Sequence, residues 1–194
     1  MDIKSKFLVV LLAHLFFFPL VSCASLGKPK QETVVHKDYV KGEFKLGNSY
    51  HVNGKKYTPS VDKHYREIGV ASWYGTKFKG RKTANGSLFT GNEYTAAHRT
   101  LPLPSVVRVT NLVNSKSIDV VVNDRGPFKG SNRIIDLSQK AAKELGFENV
   151  GHTKVHVEYL HDKTLALLAM YPPEQHKKAM QTFRMAEIQT KKSS

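Results

Sequence analysis

Between residues 154 and 159, Val155, Val157 and Tyr159 alternate with Lys154, His156 and Glu158. That period of two predicts a strand with one wet face. Two β-branched runs, Val106-Val107-Arg108-Val109-Thr110 and Ile118-Asp119-Val120-Val121-Val122, are separated by the polar Asn114-Ser115-Lys116-Ser117, and Ile134-Ile135-Asp136-Leu137 is a shorter run of the same kind. Gly69-Val-Ala-Ser-Trp-Tyr-Gly75 reads as a short strand between glycines, and Thr83-Ala84-Asn85-Gly86 as a turn. Ser138 is placed to cap a helix that runs to Leu145, with Gly146 just past its end. Six or so short strands with one helix predict a mainly β protein built on a small six-stranded barrel, residues 62–160. In the preceding segment, Asn53-Gly54 between Tyr50-His-Val and Lys-Lys-Tyr57 is a hairpin signal. Beyond Leu160 the pattern weakens. Pro172-Pro173 opens a helix with Ala179, Met180, Phe183 and Ala186 on one side, a narrow stripe that predicts a loosely attached tail over 161–194.

At the start of the chain, Lys4 and Lys6 precede an uncharged apolar run, Phe7 to Phe18, ended by Pro19. The run is shorter than the roughly 18 apolar residues of a spanning helix and reads as an export signal over residues 1–22. Leu20-Val21-Ser22-Cys23 resembles a bacterial lipobox, with Cys23 as the lipidated residue. Residues 23–61 would then be a lipid-anchored tether, and the absence of Asp after Cys23 favours the outer membrane, with the protein facing the periplasm.

Charge and composition narrow the chemistry. The 194 residues carry 30 Lys and Arg against 16 Asp and Glu, a formal net charge of +14, so an anionic partner is expected. A single cysteine excludes an intrachain disulfide and any multi-cysteine metal site. His152 and His156 sit four apart on a strand, which separates them by roughly 13 Å, too far to share an ion. No cofactor or metal is expected, and export together with scattered cations argues against nucleic acid. Ser87, His98 and Asp124 supply the residue types of a hydrolase triad, but without a Gly-x-Ser-x-Gly elbow.

Polar density concentrates at Trp73-Tyr74-Gly75, at 83–86 with Ala96-Ala97-His98-Arg99-Thr100-Leu101-Pro102, and at Asn123-Asp124-Arg125-Gly126-Pro127-Phe128. The last puts an acid at the end of a hydrophobic strand, beside a glycine and a proline that force a turn. Taken alone, Asp124 there accepts turn hydrogen bonds or pairs with Arg125. Taken together, these segments with Arg133-Ile-Ile-Asp-Leu-Ser138, in this order over about 50–160, resemble the rare lipoprotein A (RlpA) family.

The resemblance implies a double-psi β-barrel, an outer-membrane lipoprotein, and an endolytic lytic transglycosylase that prefers peptidoglycan strands stripped of stem peptides. It implies Asp124 as general acid then base and His98 as its partner, with Tyr74, Asn85 and Arg125 contacting glycan. A single acid suffices because the muramyl 6-hydroxyl is the nucleophile and closes a 1,6-anhydro ring, so the paired carboxylates of a glycosidase are not both required. A raised pKa at a partly desolvated barrel mouth would keep that acid protonated. One position departs: the residue after Thr-Ala-Asn-Gly is usually Glu in the family and is Ser87 here. Two classes therefore stay open, an active transglycosylase and a non-catalytic peptidoglycan-binding or scaffolding lipoprotein.

Overall fold

A computed structural model describes residues 37–130 and 132–192. The expected export signal and Cys23 lie outside the described residues. Six strands close into a barrel in the order β3-β7-β4-β6-β5-β8, where β3 is Arg66–Trp73, β4 Thr95–His98, β5 Ser105–Asn111, β6 Ser117–Asp124, β7 Arg133–Leu137 and β8 His152–Tyr159. The pairs β3·β7 and β4·β6 are parallel. The other four are antiparallel. This is the closed mixed barrel expected from the strand pattern and from the resemblance. Alternation works as anticipated on β8, where Thr153, Val155, Val157 and Tyr159 are buried and the residues between them are not. Val107, Val109, Val120, Val122, Ile135, Leu137, Val155 and Val157 fill the interior. Closure removes the exposed strand edges that a short open sheet would leave for aggregation.

Two segments differ from expectation. Strand β4 carried no β-branched pattern, yet Thr95-Ala96-Ala97-His98 is buried throughout and lies between β6 and β7. Both its faces are covered, so no alternation marks it, and small alanines let its neighbours approach closely. Beyond the barrel, the expected tail contains two helices, α2 (His161–Ala169) and α3 (Pro173–Lys192). Leu167, Leu168, Ala179 and Phe183 are buried in the same core as the barrel valines, so this segment is packed rather than loose. Between β7 and β8 lies α1, Gln139–Glu144. The Ser138 Oγ accepts the Ala141 N–H at 3.2 Å, the cap predicted from sequence.

Part of the expected tether is also docked. The hairpin forms with β1 (Tyr50–Val52) pairing β2 (Lys55–Tyr57), Tyr50 opposite Tyr57. Ahead of it, Phe44 is 0% exposed, its ring 6.3 Å from that of Phe183. The Phe44 N–H donates to Gln175 Oε1 at 2.9 Å, and the Tyr171 hydroxyl donates to the Lys41 carbonyl at 2.8 Å. Lys45 bridges Leu103 in both directions. Residues 41–46 are thereby held between the α2–α3 corner and the barrel. Glycine is required at 42, where φ is +71° and a Cβ would stand 2.5 Å from the Asn85 carbonyl oxygen. Gly69 lets the Ile134 side chain of β7 pack directly on the β3 backbone, since a Cβ there would meet Ile134 Cγ2 at 2.5 Å.

Candidate functional site

Asp124 ends β6 and is half-buried. Its Oδ1 accepts two backbone N–H bonds, from Ala84 at 2.7 Å and from Arg125 at 2.8 Å. Its Oδ2 accepts the Tyr74 hydroxyl at 3.0 Å. One oxygen is thus fixed by main chain, and the other meets a single phenol. Three segments converge on this carboxylate: the end of β6, the residue following β3, and the 83–87 turn. The Tyr74 ring packs against Phe78 (5.3 Å between centroids) and Phe89 (4.8 Å). Burial and the neighbouring carboxylate push its phenol above the ordinary tyrosine range, so it stays a donor.

A second carboxyl group stands nearby that the sequence reading did not single out. Ala97 on β4 pairs with Asp124 on one side and with Asp136 of β7 on the other. Two ladder spacings put the two Cα atoms roughly 10 Å apart. Asp136 Oδ1 accepts the Ser72 hydroxyl at 2.5 Å and the Arg133 guanidinium at 3.0 Å. Burial raises its pKa, opposed by the Ser72 bond and Arg133. Asp136 lay inside the 133–138 motif, but as one acid in a hydrophobic strand it carried no signal of its own; only the strand order brings it beside Asp124.

His98 is placed differently from the expectation. It is 3% exposed, and its Nδ1 accepts the N–H groups of Thr100 (3.2 Å) and Leu101 (3.1 Å). With Nδ1 an acceptor, the neutral ring carries its proton on Nε2, which faces the Tyr65 hydroxyl at 2.9 Å. Tyr65 in turn donates to Glu67 Oε2 at 2.7 Å. Burial, then Arg125 and Arg99, push the His98 pKa down to about 3. The imidazole is therefore neutral, and it makes no hydrogen bond to Asp124. Its link to the site runs through the backbone, since Arg125 Nη1 donates to the carbonyls of His98 (3.2 Å) and Leu101 (2.6 Å).

Arg125 also donates from Nη2 to the Leu46 carbonyl at 2.7 Å. Its guanidinium is spent on holding three segments together rather than presented to a ligand, which corrects the glycan-contact expectation. Asn85 is corrected in the same way. It is 0% exposed; its Nδ2 donates to the Lys41 carbonyl at 2.9 Å, and its Oδ1 accepts from Thr83 and Ser87. Ser87 is 5% exposed, and its Oγ closes a network with Thr83 (2.9 Å), Asn85 Oδ1 (2.8 Å) and Asn123 Nδ2 (3.1 Å). Ser87, His98 and Asp124 make no hydrogen bond to one another, so the triad is not formed. Among the described residues, no group of three or more His, Cys, Asp or Glu is placed to hold a metal ion.

Comparison with known proteins agrees with this geometry. A family model described as lytic transglycolase matches residues 66–157, the barrel strands from β3 into β8. A protein of Rickettsia bellii (strain RML369-C) named endolytic peptidoglycan transglycosylase RlpA is 46% identical over 172 residues, covering 82% of this chain and 75% of the relative. Its namesake in Rickettsia felis is 54% identical over 132 residues, 66% of this chain and 58% of the relative. One from Pseudomonas aeruginosa (strain UCBPP-PA14) is 59% identical over 112 residues, 57% of this chain and 33% of the relative. With a closed six-stranded barrel, a carboxylate at the end of β6, and a relative matched over three quarters of its length, the chain belongs to the RlpA family.

Proposed function

We propose that this protein is an endolytic lytic transglycosylase that cleaves peptidoglycan glycan strands, acts on strands lacking stem peptides, and leaves 1,6-anhydro-muramyl ends. The observation that carries the reading is the asymmetry of Asp124: Oδ1 is locked by two main-chain donors, while Oδ2 meets only the Tyr74 hydroxyl. A carboxyl fixed on one oxygen by main chain, with a single hydroxyl on the other, can give up and take back a proton without moving. Protonated on Oδ2, Asp124 delivers its proton to the glycosidic oxygen as the muramyl C1–O bond breaks. The muramyl 6-hydroxyl oxygen then bonds to C1, and its proton returns to Oδ2, so the carboxyl ends the cycle as it began. Asp136 is the second carboxyl group at this end of the barrel, held by the Ser72 hydroxyl and the Arg133 guanidinium. His98, neutral and buried, positions the 98–101 corner that receives Arg125.

Asp124→Asn tests this reading. The amide keeps an oxygen for the Ala84 and Arg125 N–H groups and removes the transferable proton, so turnover should fall by about 10²–10⁴-fold while glycan binding persists. The readout is anhydro-muramyl product from denuded strands, resolved by mass spectrometry. Wild-type protein that binds these strands and yields no such product would select the non-catalytic scaffold, the reading that the serine at position 87 favours. We also propose that Cys23 is lipidated and holds the protein at a membrane: it is the one cysteine of the chain, and it follows a charged start and an apolar run.

A further inference from the structure

Residues 75–83 form a loop whose two ends rest on the same carboxylate. Tyr74, just before it, donates to Asp124 Oδ2, and Ala84, just after it, donates to Oδ1. Four of the loop's residues are cations, Lys77, Lys79, Arg81 and Lys82, and the chain has no acidic residue between Glu67 and Glu93. All four are exposed. Among the described residues none of them forms an ion pair. The loop is nonetheless well fixed. The Gly80 N–H donates to the Phe89 carbonyl and the Phe89 N–H to the Arg81 carbonyl, both at 2.9 Å. Phe78 packs edge-on to Tyr74, with Lys77 Nζ 5.5 Å and the Arg81 guanidinium 5.8 Å from its ring centroid.

Four like charges within six residues repel one another, and the fold supplies no counter-charge. The other cations around Asp124 are committed: Arg99 donates to the Pro127 carbonyl, Arg125 to His98, Leu101 and Leu46, and Arg133 to Asp136. The loop is thus a positive surface left free on the segment whose two ends hold the carboxylate, and it suits an anionic ligand. Within peptidoglycan, the lactyl group of a muramyl residue is a neutral amide while the stem peptide is attached. Once the peptide is removed it is a free carboxylate, repeated on every second sugar.

We propose that the 75–83 loop recognises these lactyl carboxylates; this rests on the glycan-cleaving reading above. Exposed ion pairs are individually weak and are screened by salt, so the effect is collective. The test compares denuded strands with N-acetylglucosamine oligomers of equal length, which have the same backbone and no charge, using protein carrying Asp124→Asn so that strands stay intact. Affinity for denuded strands should fall about tenfold when Lys77→Gln, Lys79→Gln, Arg81→Gln and Lys82→Gln are combined, and also at high salt. Affinity for the neutral oligomer should change in neither case. A companion with Lys77→Arg, Lys79→Arg and Lys82→Arg keeps the charge and should bind as the parent does. Denuded-strand binding that ignores both salt and the glutamine substitutions overturns the loop assignment alone, as does equal loss of both oligomers. Failure of the parent protein to bind either glycan overturns the glycan reading with it.

Discussion

His98 makes the stability of this barrel depend on pH in a way that can be calculated. In the unfolded chain a histidine titrates near 6.5; in the folded protein burial, Arg125 and Arg99 push His98 down to about 3. The folded state therefore binds fewer protons than the unfolded one across that window. A depressed histidine contributes stability that is present above the unfolded value and is lost as pH falls from about 6.5 toward about 3. At 1.36 kcal/mol per unit, the loss from this residue between pH 7 and pH 5 is about 2 kcal/mol. The structural cause is specific: protonating Nδ1 would set a new N–H against those of Thr100 and Leu101, which now donate to it. His98→Asn removes the titration while keeping an acceptor within reach of these two N–H groups. Urea unfolding of both proteins at pH 7 and pH 5 gives the difference directly, because every other titrating group is common to the pair. The wild type should lose about 2 kcal/mol more than the variant over this range. Equal losses would refute the assignment of a buried, neutral His98.

Three further outcomes are expected. Ser87→Glu restores the residue usual in the family, yet the Ser87 Oγ sits in a buried network against Asn85 Oδ1; the added carboxylate should cost about 1–3 kcal/mol by denaturant unfolding and give no gain in turnover, and a variant both as stable and faster would show that the network opens to accept it. Phe183→Ala empties the contact between α3 and Phe44 and should cost about 3–5 kcal/mol, read from the urea midpoint; a loss below about 1 kcal/mol would mean that α3 contributes little to the fold. Cys23→Ser should abolish labelling by a palmitate analogue, since the chain has no other thiol; undiminished labelling would remove the lipid anchor from the account.

Sequence alone was sufficient for features decided by local chemistry. Period-two alternation marked β8, β-branched runs marked β5 and β6, Asn53-Gly54 marked the hairpin, and Ser138 and Gly146 marked the ends of α1. Each depends on residues within a few positions of one another. The identity of Asp124 as the acid at a strand end was legible for the same reason, because a hydrophobic run followed by Asp-Arg-Gly-Pro describes its own geometry. What tertiary structure decided was everything that depends on who lies next to whom. Strand β4 is buried on both faces, so its alanines show no period. The α2 and α3 helices owe their place to Phe44 and the barrel, and a narrow apolar stripe does not reveal that a partner for it lies some 140 residues earlier in the chain, at Phe44 against Phe183. Asn85 and Arg125 have the polar groups of ligand-binding residues, but their N–H groups donate to backbone carbonyls at Lys41, Leu46, His98 and Leu101. Hydrogen-bonding capacity is a property of the residue; whether it is spent inside the protein or offered to a ligand is a property of the fold. Asp136 shows the converse, an acid with no local signal that becomes part of the site because β4 is the strand shared by β6 and β7.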